Sequence, residues 1–328
     1  MSDRIAMDIR QLRYFVAIAE QGSFSRAASL LRIAQPALSM HVRNMETDLG
    51  TSLLFRSPRG VVPTEAGEIL LRNARIILDQ LATTEEEIRV HDNNPRGEVC
   101  LGLPGTISQI LTVPLITAAR ARYPNIKLRI AEAMSGFVLG WLREARIDLG
   151  VLYRDAADSG IATVPVLEEE LVFFGPATPR PGMEISMEIS VEGEALDYGL
   201  IAALPLILPG EAHGLRELLE RQALMAGFEL NTAIDVDSYS NIKELVASGF
   251  GYSILPLNAI AREVAAGDLR SWTISRPALQ RSVRLAHALE RPMTNAVAAI
   301  EALTREVLRD LARTGRWVGA TILPEEPG

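Results

Sequence analysis

The sequence predicts a helical N-terminal domain carrying a small β-hairpin, a long connecting helix, and a larger α/β unit of two lobes. Three observations carry this expectation. Apolar residues recur at helical spacing through residues 8–49, with a turn signal between successive runs. A further helical pattern starts at Thr64, runs to about residue 90 and breaks at Asn93-Asn94-Pro95-Arg96-Gly97. From Glu98 the period changes, and short Val/Ile/Leu runs alternate with helical stretches, as in a parallel sheet flanked by helices. A chain of 328 residues is long enough for two or three domains with separate cores.

Residues 8–21 place Ile9, Leu12, Phe15, Val16 and Ala19 on one helical face, with Asp8 able to cap the start and Gly22 to end it. Ser23 or Ser25 can cap the next helix, where Ala27, Ala28 and Leu31 form a stripe that admits close packing. Pro36 fits the first turn of a third helix, where its missing N–H has no partner to lose. There Leu38, Val42, Met45 and Leu49 make an apolar face, and Pro36, Met40, Arg43 and Asn44 lie opposite, with Ser39 at the edge. A small, polar and cationic face is what a DNA major groove admits, although in isolation a solvated surface helix is the better account of it. The next segment of the chain decides between them. Leu53-Leu54-Phe55 and Val61-Val62 read as short strands around the turn Arg56-Ser57-Pro58-Arg59-Gly60. Guanidinium groups at such a tip suit phosphate or minor-groove contact. Helix, turn, helix and basic wing, in that order, read as a winged helix-turn-helix. The candidate DNA contacts are Ser25, Arg26, Gln35, Pro36, Ser39, Met40, Arg43, Arg56, Pro58 and Arg59.

A net charge of −8 looks unsuited to DNA, but residues 1–60 hold eight arginines against five acids, and the local surface is what phosphate contact requires. In the connecting helix, Leu70, Ala74, Ile77, Leu81, Thr84 and Ile88 recur at spacings of four and three. This imperfect coiled-coil seam predicts self-association; a lone amphipathic helix packed on its own domain is the plainer alternative.

In the α/β unit, strands are expected at 99–103, 126–131 and 148–153, with helices at 107–122 and 135–145 between them. An extended strand is expected next, at 164–174. A second set has strands at 204–208, 230–236 and 252–255 and helices at 214–226, 239–248 and 257–266. A returning strand at 281–289 and a closing helix at 294–313 complete it. Residues 176–203 read as a long surface connection, and residues 317–328 as a loosely held end. Ligands in open α/β sheets bind where strands pass into helix N-termini. The turns of that kind contribute Gly105, Thr106, Ser108, Ser135, Gly136, His213 and Ser238. Taken singly each hydroxyl is better read as an ordinary helix cap, and only their convergence points to a cleft; His213 either reads a carboxylate or sits on the rim.

The segment from Leu12 to Gly67 resembles the DNA-binding domain of LysR-type transcriptional regulators. The matching residues include Gly22-Ser23-Phe24, Ala27-Ala28, Gln35-Pro36-Ala37-Leu38-Ser39, Glu46, Leu49-Gly50 and Thr64-Glu65-Ala66-Gly67. Ile33-Ala34, Arg59-Gly60-Val61 and Pro104-Gly105-Thr106 make it most similar to the nitrogen-assimilation-control branch; Met40 departs from the polar or basic residue usual there. The resemblance implies a DNA-binding domain at 1–67, a linker and dimerisation helix at 64–94, and an effector-binding domain at 95–313, with a tail at 314–328. It gives the α/β unit the two-lobed periplasmic-binding-protein-like (type 2) fold, with lobe I at about 95–163 and 269–313 and lobe II at about 164–268. It also turns the four strand-to-helix turns toward an effector cleft. The implied partners are double-stranded DNA bearing an interrupted palindrome, a small polar or carboxylated metabolite, and further copies of the chain as a dimer or tetramer.

Other classes fit less well. No stretch approaches the ~20 apolar residues of a membrane span, and the start lacks a signal-peptide core, so a cytoplasmic protein is expected. The single cysteine, Cys100, reads as a buried structural thiol sooner than a redox switch. Gly249-Phe250-Gly251 lacks the third glycine of a dinucleotide fingerprint, and His41, His91, His213 and His287 stand in separate segments, so neither catalysis nor a metal or other cofactor is expected. A transport-type binding protein and a regulator without an effector remain the alternatives; the former leaves residues 9–67 unexplained.

Overall fold

The computed structural model describes residues 7–57, 60–88, 95–154, 156, 160–178, 195–211 and 213–324, with backbone alone at 86–88 and 135. Two units emerge: residues up to 93 with 289–295, and the rest.

In the first unit, α1 (Ile9–Gln21) opens with a reciprocal capping box between Asp8 and Gln11 and ends at Gly22, whose φ of 57° is left-handed. Helix α2 (Phe24–Leu31) is capped by Ser23, whose Oγ accepts the Arg26 N–H. Helix α3 (Gln35–Leu49) carries Pro36 in its first turn and closes at Gly50. Phe15, Ile18, Ala27, Leu38, Val42 and Met45 are fully buried at the centre of the three helices. Strands β1 (Leu54–Ser57) and β2 (Gly60–Pro63) pair antiparallel as the wing. The wing is moored at both ends: the Val61 N–H donates to the Gly22 carbonyl, and Glu46 Oε1 accepts the Leu53 and Leu54 N–H groups at 2.9 and 3.3 Å. Helix α4 (Glu65–Ile88) begins where Thr64 Oγ1 accepts the Gly67 N–H and donates to the Ser52 carbonyl. A Cβ on Gly67 would lie 2.0 Å from the Leu53 carbonyl oxygen, so only glycine lets the helix pass the wing at this distance.

The second unit starts with β3 (Gly97–Pro104), α5 (Gly105–Arg122), β4 (Ile126–Ala133), α6 (Ser135–Arg143) and β5 (Leu149–Leu152). The three strands are parallel in the order β4-β3-β5, the expected βαβαβ unit. The long strand β6 (Ile161–Pro176) then crosses into a second group. That group comprises β7 (Leu196–Asp197), α7 (Tyr198–Ala202), β8 (Leu206–Leu208), α8 (Gly214–Ala226), β9 (Thr232–Asp235), α9 (Tyr239–Ala247), β10 (Ser253–Pro256), α10 (Leu257–Ala266) and β11 (Leu269–Ser275). Strand β12 (Gln280–Ala288) returns antiparallel to β5 and β6, and α11 (Asn295–Arg313) and β13 (Ala320–Ile322) close the chain. Strand β6 holds the lobes together: residues 161–170 pair with β12, while Leu171–Pro176 pair with β10 and β11.

Four expectations need correction. Lobe I does not resume at residue 269, because β11 pairs with the far half of β6 and buries Leu269, Trp272 and Ile274 in the core of lobe II. Lobe II likewise begins near residue 170 and not 164, since β12 claims the first half of β6. Residues 176–203 are not all surface connection. Tyr198 is fully buried, donates its hydroxyl to the Leu219 carbonyl and opens α7; residues 179–194 lie outside the described part. The end of the chain is also not loose through residue 324. Trp317 is 1% exposed and β13 pairs with β6 at Leu167–Glu169, so a large aromatic anchor fixes it.

Candidate functional site

The exposed side of α3 presents Gln35, Pro36, Met40, Arg43 and Asn44 to solvent, with Met40 55% exposed. Its opposite side is seated in the core by Leu38, Val42 and Met45, and His41 meets the Tyr14 ring edge-on at 5.1 Å. Ser39 departs from expectation. It is 6% exposed and its Oγ accepts a 3.0 Å hydrogen bond from Gln35 Nε2, so it steadies the start of the helix and faces inward. Ser25 is exposed on α2, and Arg26 Nη2 donates to the Gln21 carbonyl, tying part of that guanidinium to the α1–α2 turn. Arg56 is exposed on β1 with its guanidinium carbon 4.6 Å above the Phe24 ring, a cation–π contact that links wing to helix-turn-helix. Pro58 and Arg59 lie outside the described residues.

Between the lobes the sequence-predicted residues meet unequally. Thr106, at the start of α5, is buried; its hydroxyl lies 2.7 Å from that of Tyr153 and accepts a 3.1 Å hydrogen bond from Arg281 Nη2. Gly105 lies beside Glu132, and Gly136 lines a cavity of about 110 Å³ with Tyr153, Gly214 and Leu218. His213 is buried and caps α8: its Nδ1 accepts the Leu215 N–H at 3.1 Å, and its Nε2 lies 3.1 Å from the Tyr239 hydroxyl. Burial, aided by the positive charge of Arg281, pulls its pKa down to about 4. Ser108 and Ser238 keep to their own helices: Ser108 pairs with Thr112, and Ser238 caps α9 through the Asn241 N–H. The side chain of Ser135 lies outside the described residues. Arg216, the nearest cation in sequence to the second-lobe turns, is occupied by Glu220, Asp235 and the Pro209 carbonyl.

The centre of this site was not among the residues singled out from sequence. Arg281, with a side chain only 1% exposed, donates Nε to Glu169 Oε1 at 2.5 Å, and its guanidinium lies 3.6 Å above the Tyr153 ring. Trp317 Nε1 donates to the other Glu169 oxygen at 3.2 Å. Glu169 is therefore no part of a solvated acidic run, as Glu168-Glu169-Glu170 suggests, but the buried counterion of Arg281. Burial disfavours the Arg281 charge, yet Glu169, with Tyr153 and Tyr239 behind it, raises its pKa above the ordinary value. Burial raises Tyr153 and Tyr239 as well, against the pull of Arg281, so both stay protonated donors near neutral pH. The signal was present. Leu279, Arg281, Val283 and Leu285 share one period-2 face in which only Arg281 is polar.

Comparison with known proteins places this geometry in context. The profile described as "Bacterial regulatory helix-turn-helix protein, lysR family" matches residues 9–68, and "LysR substrate binding domain" matches residues 92–309. The nitrogen assimilation regulatory protein nac of Klebsiella aerogenes is 32% identical over 282 residues, 85% of this chain and 88% of that protein. Its Escherichia coli counterpart is 31% identical over the same shares. A full-length OxyR variant from Pseudomonas aeruginosa has the same fold with a TM-score of 0.77, 25% identity, and coverage of 98% of this chain and 99% of that one. A recognition helix and wing in one unit, and a two-lobed domain with a polar buried seam in the other, thus agree with sequence kinship over most of the length: the chain belongs to the LysR family, as a DNA-binding transcriptional regulator with an effector-binding domain.

Proposed function

We propose that this regulator binds an interrupted palindrome as a homo-oligomer, placing α3 in successive major grooves and the wing on the flanking backbone. The observation that carries the reading is the exposed face of Gln35, Pro36, Met40 and Arg43 on a helix held rigidly from behind. Arg43 is assigned base readout, and Ser25, Arg26, Arg56, Pro58 and Arg59 positioning on the phosphates. Ser39 supports the helix start and is not assigned a base. The test is binding to operator variants bearing single base changes. Arg43→Ala is expected to lose ~1–3 kcal/mol of discrimination at one base pair, while Arg56→Ala weakens all sequences alike and flattens the salt dependence. Equal loss at every variant for Arg43→Ala would overturn this orientation.

Residues 95–313 are proposed to hold a small polar or carboxylated effector between the lobes, bounded by Gly105, Thr106, Gly136 and the His213–Tyr239 pair. Support comes from the convergence of Thr106 and Tyr239, from different lobes, on one buried guanidinium. The chain is proposed to act in the cytoplasm without catalysing a reaction; no helix among the described residues is long and apolar enough to cross a membrane. Self-association is assigned to α4 together with the effector domains. Ile9, Leu49, Ile69 and Ile77 are exposed around an apolar depression of about 800 Å³ on the first unit, a surface that water covers at a cost. Ala74 of the expected seam instead packs inward, fully buried.

A further inference from the structure

Met40 sits at the middle of the exposed face of α3, one turn after Pro36 and one turn before Arg43 and Asn44, which are exposed with it. Other exposed apolar side chains of the first unit have apolar company. Ile9, Leu49, Ile69 and Ile77 line the depression beside α4, and Phe55 opposes Val62 across the wing. Met40 has no such company, because its neighbours on the helix surface are a proline, a guanidinium and an amide. Nor does packing require it, since Leu38, Val42 and Met45 already seat the helix in the core. The middle of a face otherwise suited to DNA is thus held by a side chain that reads no polar group.

A thioether carries no hydrogen-bond donor and only a weak acceptor, so it cannot pair with the polar edges of the bases. The major groove presents one apolar group, the 5-methyl of thymine. Methionine is unbranched, with three rotatable side-chain bonds and a polarisable sulfur, and adapts to the shape it meets. Set against a cytosine amino group or a guanine oxygen, the same side chain would displace water and return no hydrogen bond, which costs binding. Attraction to the methyl and rejection of the polar edges act in the same direction. We infer that Met40 is a specificity-determining residue that reads the 5-methyl group of one thymine in each half-site. This rests on the placement of α3 in the major groove proposed above, and gives a base to a side chain left without one there. Residues 40 and 43 lie roughly 4.5 Å apart along the helix axis. A base step is about 3.4 Å, so the thymine falls within about two base pairs of the pair read by Arg43.

The test starts from a duplex selected out of a random pool by the full-length protein. Each thymine of that duplex is replaced in turn by deoxyuridine, which removes the 5-methyl and alters no hydrogen-bonding group. For the wild type, one thymine per half-site is expected to lose about fourfold in affinity, the worth of one methyl group returned to water. Met40→Gln, of similar length but polar, is expected to bind the thymine and uracil duplexes alike at that position. Met40→Leu, which keeps an apolar contact, is expected to retain the preference for thymine. A wild type indifferent to every uracil would overturn the inference, and so would a uracil penalty that Met40→Gln leaves undiminished. Arg43→Ala on single-base variants of the same duplex separates this inference from the reading beneath it. If that variant relaxes discrimination at one base pair while no thymine responds, α3 keeps its place in the groove and only the role of Met40 falls. If neither responds, both fall.

Discussion

Arg281 and Glu169 oppose each other across β12 and β6 where water does not reach. The attraction between them offsets a desolvation cost of several kcal/mol per ion, so the two groups are tolerable only together. Arg281→Ala alone, leaving Glu169 without its counterion, is expected to cost on the order of 3–5 kcal/mol in denaturant unfolding, while the paired replacement with methionines stays close to wild type. His213 makes a different commitment. Its folded-state pKa near 4 lies below the unfolded value near 6.5, so in that interval the unfolded chain binds the extra proton. Stability is therefore expected to fall as pH drops from about 6.5 to about 4, by an amount on the order of 3 kcal/mol. His213→Asn, which keeps a cap acceptor for α8, should remove that part of the slope in unfolding measured across the interval. Thr106 was found from sequence because strand-to-helix turns announce themselves. Arg281 was not, because one polar residue on an apolar strand face becomes conspicuous only once strands are paired.

Helices were the legible elements. The spans 214–226 and 257–266 agree with α8 and α10 residue for residue, since each carries a full helical period and ends at a glycine with positive φ. The elements that escaped, β7, α7, β11 and β13, lie outside the alternation of apolar runs and helical stretches by which β8, β9 and β10, equally short, were read. The placement of β11 and β13 depends on β6, whose pairing partners come from distant parts of the chain, and β7 follows by pairing with β11. The wing shows how a motif acquires its physical cause. Glu46 belongs to α3 but accepts two backbone N–H groups where the wing begins, so the recognition helix and the wing keep a fixed relation. Glu46→Ala is expected to weaken DNA binding across all sequences by about 1–3 kcal/mol, read by titration against operator and random duplexes, with overall helicity unchanged. Gly67→Ala forces backbone atoms apart at Leu53, and a loss of roughly 3 kcal/mol or more in unfolding of the N-terminal domain is expected.

For the whole molecule, the apolar surface around α4 predicts how copies meet. Ile77 is 44% exposed, so an acidic replacement there costs little in the isolated fold but places a charge in any contact made by this face. Ile77→Asp is expected to weaken self-association at least about tenfold by sedimentation analysis, with Tm of the N-terminal unit nearly unchanged; an unaltered oligomer would assign assembly to another surface. The anchoring of Glu169 by Trp317 bears on the making of the protein. The helix-turn-helix core is complete once Leu71 has been made, whereas Glu169 gains its last partner only with Trp317, about 250 residues later. At translation rates of about 5–20 residues per second the interval is roughly 12–50 s. During that time the nascent chain owns a finished reader of DNA and an unfinished sensor. A chain cut short before Trp317 is expected to keep its helix-turn-helix core while the buried Arg281–Glu169 pair lacks its indole donor.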